Sequence, residues 1–216
     1  MKRGWLVTLT LVSLAATASL AAAEPKTFMI DRAHTEVGFN VRHFFTKVHG
    51  RFTDFSGSIV YDPKALAASS VDVTIRDTSI WTGTERRDNH LRTEDFFWVE
   101  KYPTITFKSN KVIAGKDDHH FQVGGDLTIR GVTKPVTLDV EFLGMGPVDI
   151  GGNSLGIQAG FDATTTVNRK DFNMVWNKTV DQGGAMLDDN VEIVLNVAAF
   201  AAGDPKPAAA APATKK

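Results

Sequence analysis

Residues 124–142 read GGDLTIRGVTKPVTLDVEF, and this stretch decides the fold. Gly125, Leu127 and Ile129 alternate with Asp126, Thr128 and Arg130; after a turn, Val136, Leu138, Val140 and Phe142 alternate with Thr137, Asp139 and Glu141. An alternation of period two puts the apolar side chains on one face of a strand and the polar ones on the other. Residues 131–135 supply the turn, with Pro135 where a strand begins and a ladder donor can be spared. The expectation is an antiparallel hairpin with one dry face. If such hairpins repeat, their dry faces must close around something.

They do repeat. Val37, Phe39 and Val41 alternate in the same way, as do Gly57, Ile59 and Tyr61, then Val71, Val73 and Ile75. Ile105 and Phe107 follow, Phe121 and Val123 lead into the first hairpin, and two longer runs close the pattern: Leu155 to Phe161 and Val191 to Val197. About eight or nine strands separated by Gly, Asp, Asn and Pro clusters predict an all-β antiparallel barrel or sandwich. Two interruptions are expected. Asp62-Pro63-Lys64-Ala65-Leu66 predicts a short helical turn with Pro63 at its first position. Residues 83–102, GTERRDNHLRTEDFFWVEKY, lack alternation and predict one or two short amphipathic helices packed across a barrel mouth or flank.

The ends read differently from the middle. Lys2 and Arg3, an apolar run from Trp5 to Leu14 and Ala21-Ala22-Ala23 have the order of a cleavable export leader over residues 1–23, with the run too short to span a bilayer. Residues 202–216, rich in Ala, Pro and Lys, lack the apolar bulk to order themselves and are expected to form a disordered tail. Residues 24–201 then form one domain. With no cysteine in the chain, disulfides, thiolate chemistry and cysteine-ligated metals are excluded. Export without cysteine predicts a periplasmic location. Loss of Lys2 and Arg3 takes the net charge from −1 to −3, which argues against nucleic acid as a partner and against generic attraction to anionic lipid. No integral membrane segment is expected in the mature chain. A homodimer is compatible with the barrel edges or the aromatic insertion.

Four segments together resemble one family, the YceI-like or polyisoprenoid-binding, lipocalin-like proteins. They are residues 31–52 (DRAHTEVGFNVRHFFTKVHGRF), residues 87–107 (RDNHLRTEDFFWVEKYPTITF), the hairpin core GDLTIRGVTKPV, and residues 160–174 (GFDATTTVNRKDFNM). The match runs over roughly residues 27–200. Phe44-Phe45, Trp98 and Asn173 depart from the residues common at those places in the family. The resemblance implies an eight-stranded antiparallel lipocalin-like β-barrel with a short helical insertion. It also implies a bound amphiphilic isoprenoid lipid, such as an isoprenoid quinone or polyprenyl phosphate, and no other cofactor. Eight strands enclose room for one small ligand, in agreement.

On that reading the pocket is lined by Phe39, Val41, Ile75, Phe107, Leu127, Leu138, Phe142, Ala159, Phe161, Phe172 and Trp176. The head group is expected at Arg42, His43, His90, Arg92, Arg169 and Asp171, where donors meet the ends of apolar strands. Arg169 and Asp171 either anchor a head group or form a structural ion pair; on the first alternative, Arg169→Ala would weaken binding while the barrel stays folded. The histidines carry no short-spaced ligand motif, and hydrogen bonding between loops and barrel is the simpler role. No nucleophile elbow, cysteine nucleophile or phosphate loop is present, and Asp88, Glu94 and Asp95 near Arg87 and Arg92 read more simply as helix-face ion pairs than as an acid/base set. The function expected is non-enzymatic lipid carriage. The alternative is a stress-induced periplasmic interaction module with a filled barrel, docking a partner on Phe96–Trp98.

Overall fold

The computed structural model describes residues 25–179 and 185–204. The leader-like start and all but the first three residues of the Ala/Pro/Lys tail lie outside the described residues. Eleven strand segments form one sheet: β1 (Lys26–Ile30), β2 (Glu36–His43), β3 (Thr46–Phe52), β4 (Phe55–Tyr61), β5 (Ser70–Arg76), β6 (Ile80–Trp81), β7 (Thr104–Asp117), β8 (His120–Ile129), β9 (Val132–Ile150), β10 (Asn153–Asn168) and β11 (Leu187–Ala201). Every pairing is antiparallel.

These eleven segments make eight staves. β1 and β2 both run along β11, so they are one strand interrupted at residues 31–35; β3 with β4 and β5 with β6 are likewise broken strands. β1 pairs with β11, closing an up-and-down eight-stranded barrel that leaves the main circuit without an open edge.

The first break explains a motif. Asp31 and His34 are not on the cavity wall, and Thr35 lines its edge. They hold the extra residues of a bulge in place. The Asp31 carboxylate accepts from Ala33 N–H at 3.1 Å and bonds His34 Nδ1 at 2.7 Å. Asp31 N–H donates to Ala198 O, and Ala198 N–H donates to the Thr35 hydroxyl. The buried backbone groups that the bulge frees from the ladder are thereby satisfied.

The hairpin that predicted the fold differs in its turn. Arg130 and Gly131, both at positive φ, form a tight two-residue loop between β8 and β9. Pro135 therefore stands inside β9, opposite Asp126, in the stretch that β10 does not pair. One side of the ladder needs no donor there. The insertion contains a single helix, α1 (Glu85–Arg92), followed by turns. Asp62 caps its predicted turn, with Oδ1 accepting from the N–H groups of Lys64 and Ala65.

Two close approaches shape the interior. Phe39 lies against Gly50 on the neighbouring strand, and Phe107 against Gly125. A β-carbon at either glycine would meet the ring. The two aromatic rings thus lie on the wall and not across the barrel axis.

Candidate functional site

The inner faces of all eight staves enclose a cavity of about 800 Å³. Its wall is almost wholly aliphatic and aromatic, from Val37 and Phe39 through Val73, Ile105 and Val123 to Ile193 and Leu195. Period-two alternation is the reason: each strand of the closed sheet sends every second side chain inward.

One end is stopped by aromatic rings. Tyr61 sits 4.9 Å from Phe142, 5.5 Å from Phe161 and 6.3 Å from Phe121, centroid to centroid. Burial raises the Tyr61 phenol above its ordinary pKa, so it is neutral at physiological pH.

At the other end α1 lies across the barrel. Arg86, Arg87, His90 and Leu91 reach the cavity from the helix, Phe96 and Phe97 from the chain after it. The helix is pinned by Asp88, a buried carboxylate that accepts from the backbone N–H and the hydroxyl of Thr82. Arg87 Nη2 donates to Thr82 O at 2.7 Å, fixing the same corner. His90 stands edge-on to Phe96 at 5.1 Å and Trp176 at 4.9 Å, with Nε2 bonded to Asp95 at 2.8 Å. Thr84 and Arg86 are exposed lining residues, and with His43, Val48, Met186 and Leu187 they mark the mouth.

Of the expected lining residues, Phe39, Val41, Ile75, Phe107, Leu127, Leu138, Phe161 and Trp176 line the cavity. Phe142 belongs to the aromatic stop behind it. Ala159 lies beyond that stop, packed opposite Ala199, and Phe172 is buried in the short 3-10 turn after β10. Of the expected polar residues, His43, His90 and Arg169 line the cavity.

Arg42, Arg92 and Asp171 do not. Arg42 is one step out of phase with Val41 and His43, so it points outward and pairs with Asp188 at 3.0 Å. Arg92 turns to the barrel wall and donates to the carbonyls of Thr78 and Ile80. Asp171 is exposed. The acidic partner of Arg169 is Asp189, not Asp171.

Arg169 is 3% exposed, and four of its five N–H donors are hydrogen-bonded. Its guanidinium donates to Met174 O at 2.6 Å, Trp176 O at 2.7 Å, Asp188 O at 2.9 Å and the Asp189 carboxylate at 2.9 Å. Burial lowers its pKa and the Asp189 charge opposes that shift. It ties the segment after β10 to the start of β11 and edges the cavity with most of its donors committed to the chain.

Sequence reasoning missed Arg86, and it absorbed Arg87 into helix-face ion pairs. The signal was available: they lie three and four residues before His90, on the same side of one helical turn. It also missed Asp77, which is fully buried on the break between β5 and β6 with neither carboxylate oxygen hydrogen-bonded. Burial pushes Asp77 up to about 7, against a smaller opposing effect of the Ile105 backbone N–H. Among the described residues, no three His, Asp or Glu side chains gather as metal ligands, and no helix is long and apolar enough to cross a membrane.

Comparisons with known proteins agree with this geometry. The model of the YceI-like domain matches residues 28–199. Protein YceI of Escherichia coli O157:H7 is 39% identical over 193 residues, covering 89% of this chain and 95% of that one. Burkholderia cenocepacia BcnA superposes with a TM-score of 0.66 at 24% identity, over 78% of this chain and 98% of its own. A polyisoprenoid binding domain from Saccharophagus degradans, implicated in plant cell wall breakdown, superposes with a TM-score of 0.54 at 13% identity, over 82% and 99%. These last two are likenesses of fold.

Proposed function

The chain belongs to the YceI-like family, and from that premise and its apolar lumen we propose that it is a non-enzymatic carrier of one polyisoprenoid-type amphiphile. The observation that carries the reading is a continuous cavity of about 800 Å³, apolar along its wall and stopped at one end. That volume suits a single ligand. Moving its tail from water to the lumen is worth about 0.8 kcal/mol per methylene, less the cost of ordering and association. The polyisoprenoid binding named for the Saccharophagus relative supports the ligand class.

The head group lies at the mouth. His43, His90, Arg86 and Arg87 offer donors there, and Arg86 is the exposed guanidinium among them. A quinone carbonyl or a phosphate is the chemistry such donors accept. The leader-like residues 1–23 support a periplasmic site of action. The rival reading, a filled barrel docking a partner on Phe96–Trp98, fares worse: the barrel holds a large lumen, and Phe96 is buried.

Mass spectrometry of an organic extract of gently purified protein tests the reading. An isoprenoid amphiphile near one per chain is expected; its consistent absence retires the carrier.

A further inference from the structure

The turn joining β2 to β3 is two residues long, Phe44-Phe45, because His43 pairs directly with Thr46. Phe45 is fully exposed and Phe44 is 41% exposed. Phe44 has φ of 52°, and Phe45 is not left-handed. A two-residue hairpin turn that is left-handed at its first position alone is one that glycine favours. A phenylalanine there is held against its backbone preference. The fold secures it nonetheless. Phe44 N–H donates to Met186 O at 2.9 Å, and its ring meets His43 edge-on at 4.4 Å.

The turn is also the lip of the cavity. His43 and Val48 flank it and line the lumen, as do Met186 and Leu187 across from it. The charges beside the turn cancel: Arg42 pairs with Asp188 and Lys47 with Glu192. Two phenyl rings therefore project between paired charges, continuous with an apolar lumen, on the mouth that also carries the exposed Arg86. Whatever faces them must accept apolar rings, and must adjoin the place from which an apolar cargo enters. A bilayer interface meets both conditions.

We propose that Phe44-Phe45 is a membrane-interface anchor that seats the mouth on a bilayer, so that lipid passes between bilayer and lumen without crossing water. Aromatic side chains favour the boundary between head groups and acyl chains, and binding there scales with the apolar area inserted. The inference rests on the carrier reading for the identity of what passes, but the docking itself is independent of it.

Flotation with phosphatidylcholine vesicles, comparing the wild-type chain with a Phe44→Gly/Phe45→Ser variant, tests the anchor. Glycine at the first turn position relieves the strained backbone, so the variant keeps its fold, to be checked by circular dichroism. Wild-type protein is expected to float and the variant to lose about tenfold or more in vesicle affinity, the loss expected on returning two rings to water. A variant that floats like wild type, or wild-type protein that stays with the soluble fraction, overturns the proposal. So does a variant that keeps vesicle binding but loses a co-purifying protein. The lipid content of the same wild-type sample scores the carrier separately: protein that floats yet holds no lipid refutes the carrier and keeps the anchor.

Discussion

Arg169 Nη2 donates to Asp189 Oδ1 at 2.9 Å, joining a guanidinium that is 3% exposed to a carboxylate that is 34% exposed. The arginine is the buried, committed partner. Three more of its donors are taken by backbone carbonyls. The sequence reading left open whether Arg169 holds a head group or fixes the chain, and the geometry favours the second.

Arg169→Ala is therefore expected to destabilise the fold by about 3–5 kcal/mol, since it orphans three carbonyls at once and leaves Asp189 with Lys170 as its remaining cationic partner. Arg169→Lys should recover little, because an ammonium cannot reproduce the planar fork. Urea denaturation measures both. Normal stability with altered head-group selectivity would instead return Arg169 to ligand binding.

Asp77 predicts a pH dependence. Its carboxyl is buried without a hydrogen bond and titrates at about 7 in the fold, against 3.8 ordinarily. Between those values the folded chain holds a proton that the unfolded chain has released, so stability falls as pH rises from about 4 to 7 and then levels off. Asp77→Asn removes the titration. The variant should be similar to wild type near pH 4 and more stable by about 2–4 kcal/mol at pH 8. Parallel denaturation curves at the two pH values check this. An equal gap at both would mean that Asp77 is not neutral in the fold.

Most of the barrel was legible in the sequence because a closed antiparallel sheet uses one rule throughout. Leu127, Leu138 and Ile193 face the lumen for the same period-two reason. The same rule, applied strictly, separates Arg42 from His43: adjacent strand residues face opposite ways, so only one of them could reach the cavity. Where the chain leaves the sheet the rule ends. Arg92 and Asp171 lie on a helix and a 3-10 turn, and their directions depend on how those elements dock. Ala159 has the inward phase, but phase does not reveal depth along the barrel. The aromatic stop that separates it from the lumen is a contact between distant strands, carried by Tyr61, Phe142 and Phe161.

The two ring-bearing glycines should respond unequally. A β-carbon on Gly125 would lie 2.6 Å from Lys108 O, a backbone atom fixed in the β7–β8 ladder, as well as against Phe107. Gly125→Ala is expected to cost about 1–3 kcal/mol. At Gly50 the nearest atoms all belong to the Phe39 ring, which can swing into the lumen. Gly50→Ala should then cost less stability but reduce lipid loading. Thermal melts and extracted lipid per chain distinguish the two; a larger stability loss at Gly50 would contradict the argument.

The last prediction turns on depth. Ala163 is buried on the lumen wall, and Ala159 is buried beyond the aromatic stop opposite Ala199. A tryptophan at Ala163 projects into empty space, so the barrel should stay folded while its indole occupies the path of the tail. At Ala159 there is no such space. Overpacking there is expected to cost about 1–3 kcal/mol, with whatever protein folds still loading lipid. Ala163→Trp should therefore lower lipid per chain by about tenfold at near-normal stability, a loss equivalent to displacing two methylenes or more from the lumen. Mass spectrometry of extracts, read beside a thermal melt of the same samples, makes the comparison. Undiminished loading in a folded Ala163→Trp chain would show that the ligand does not enter the barrel.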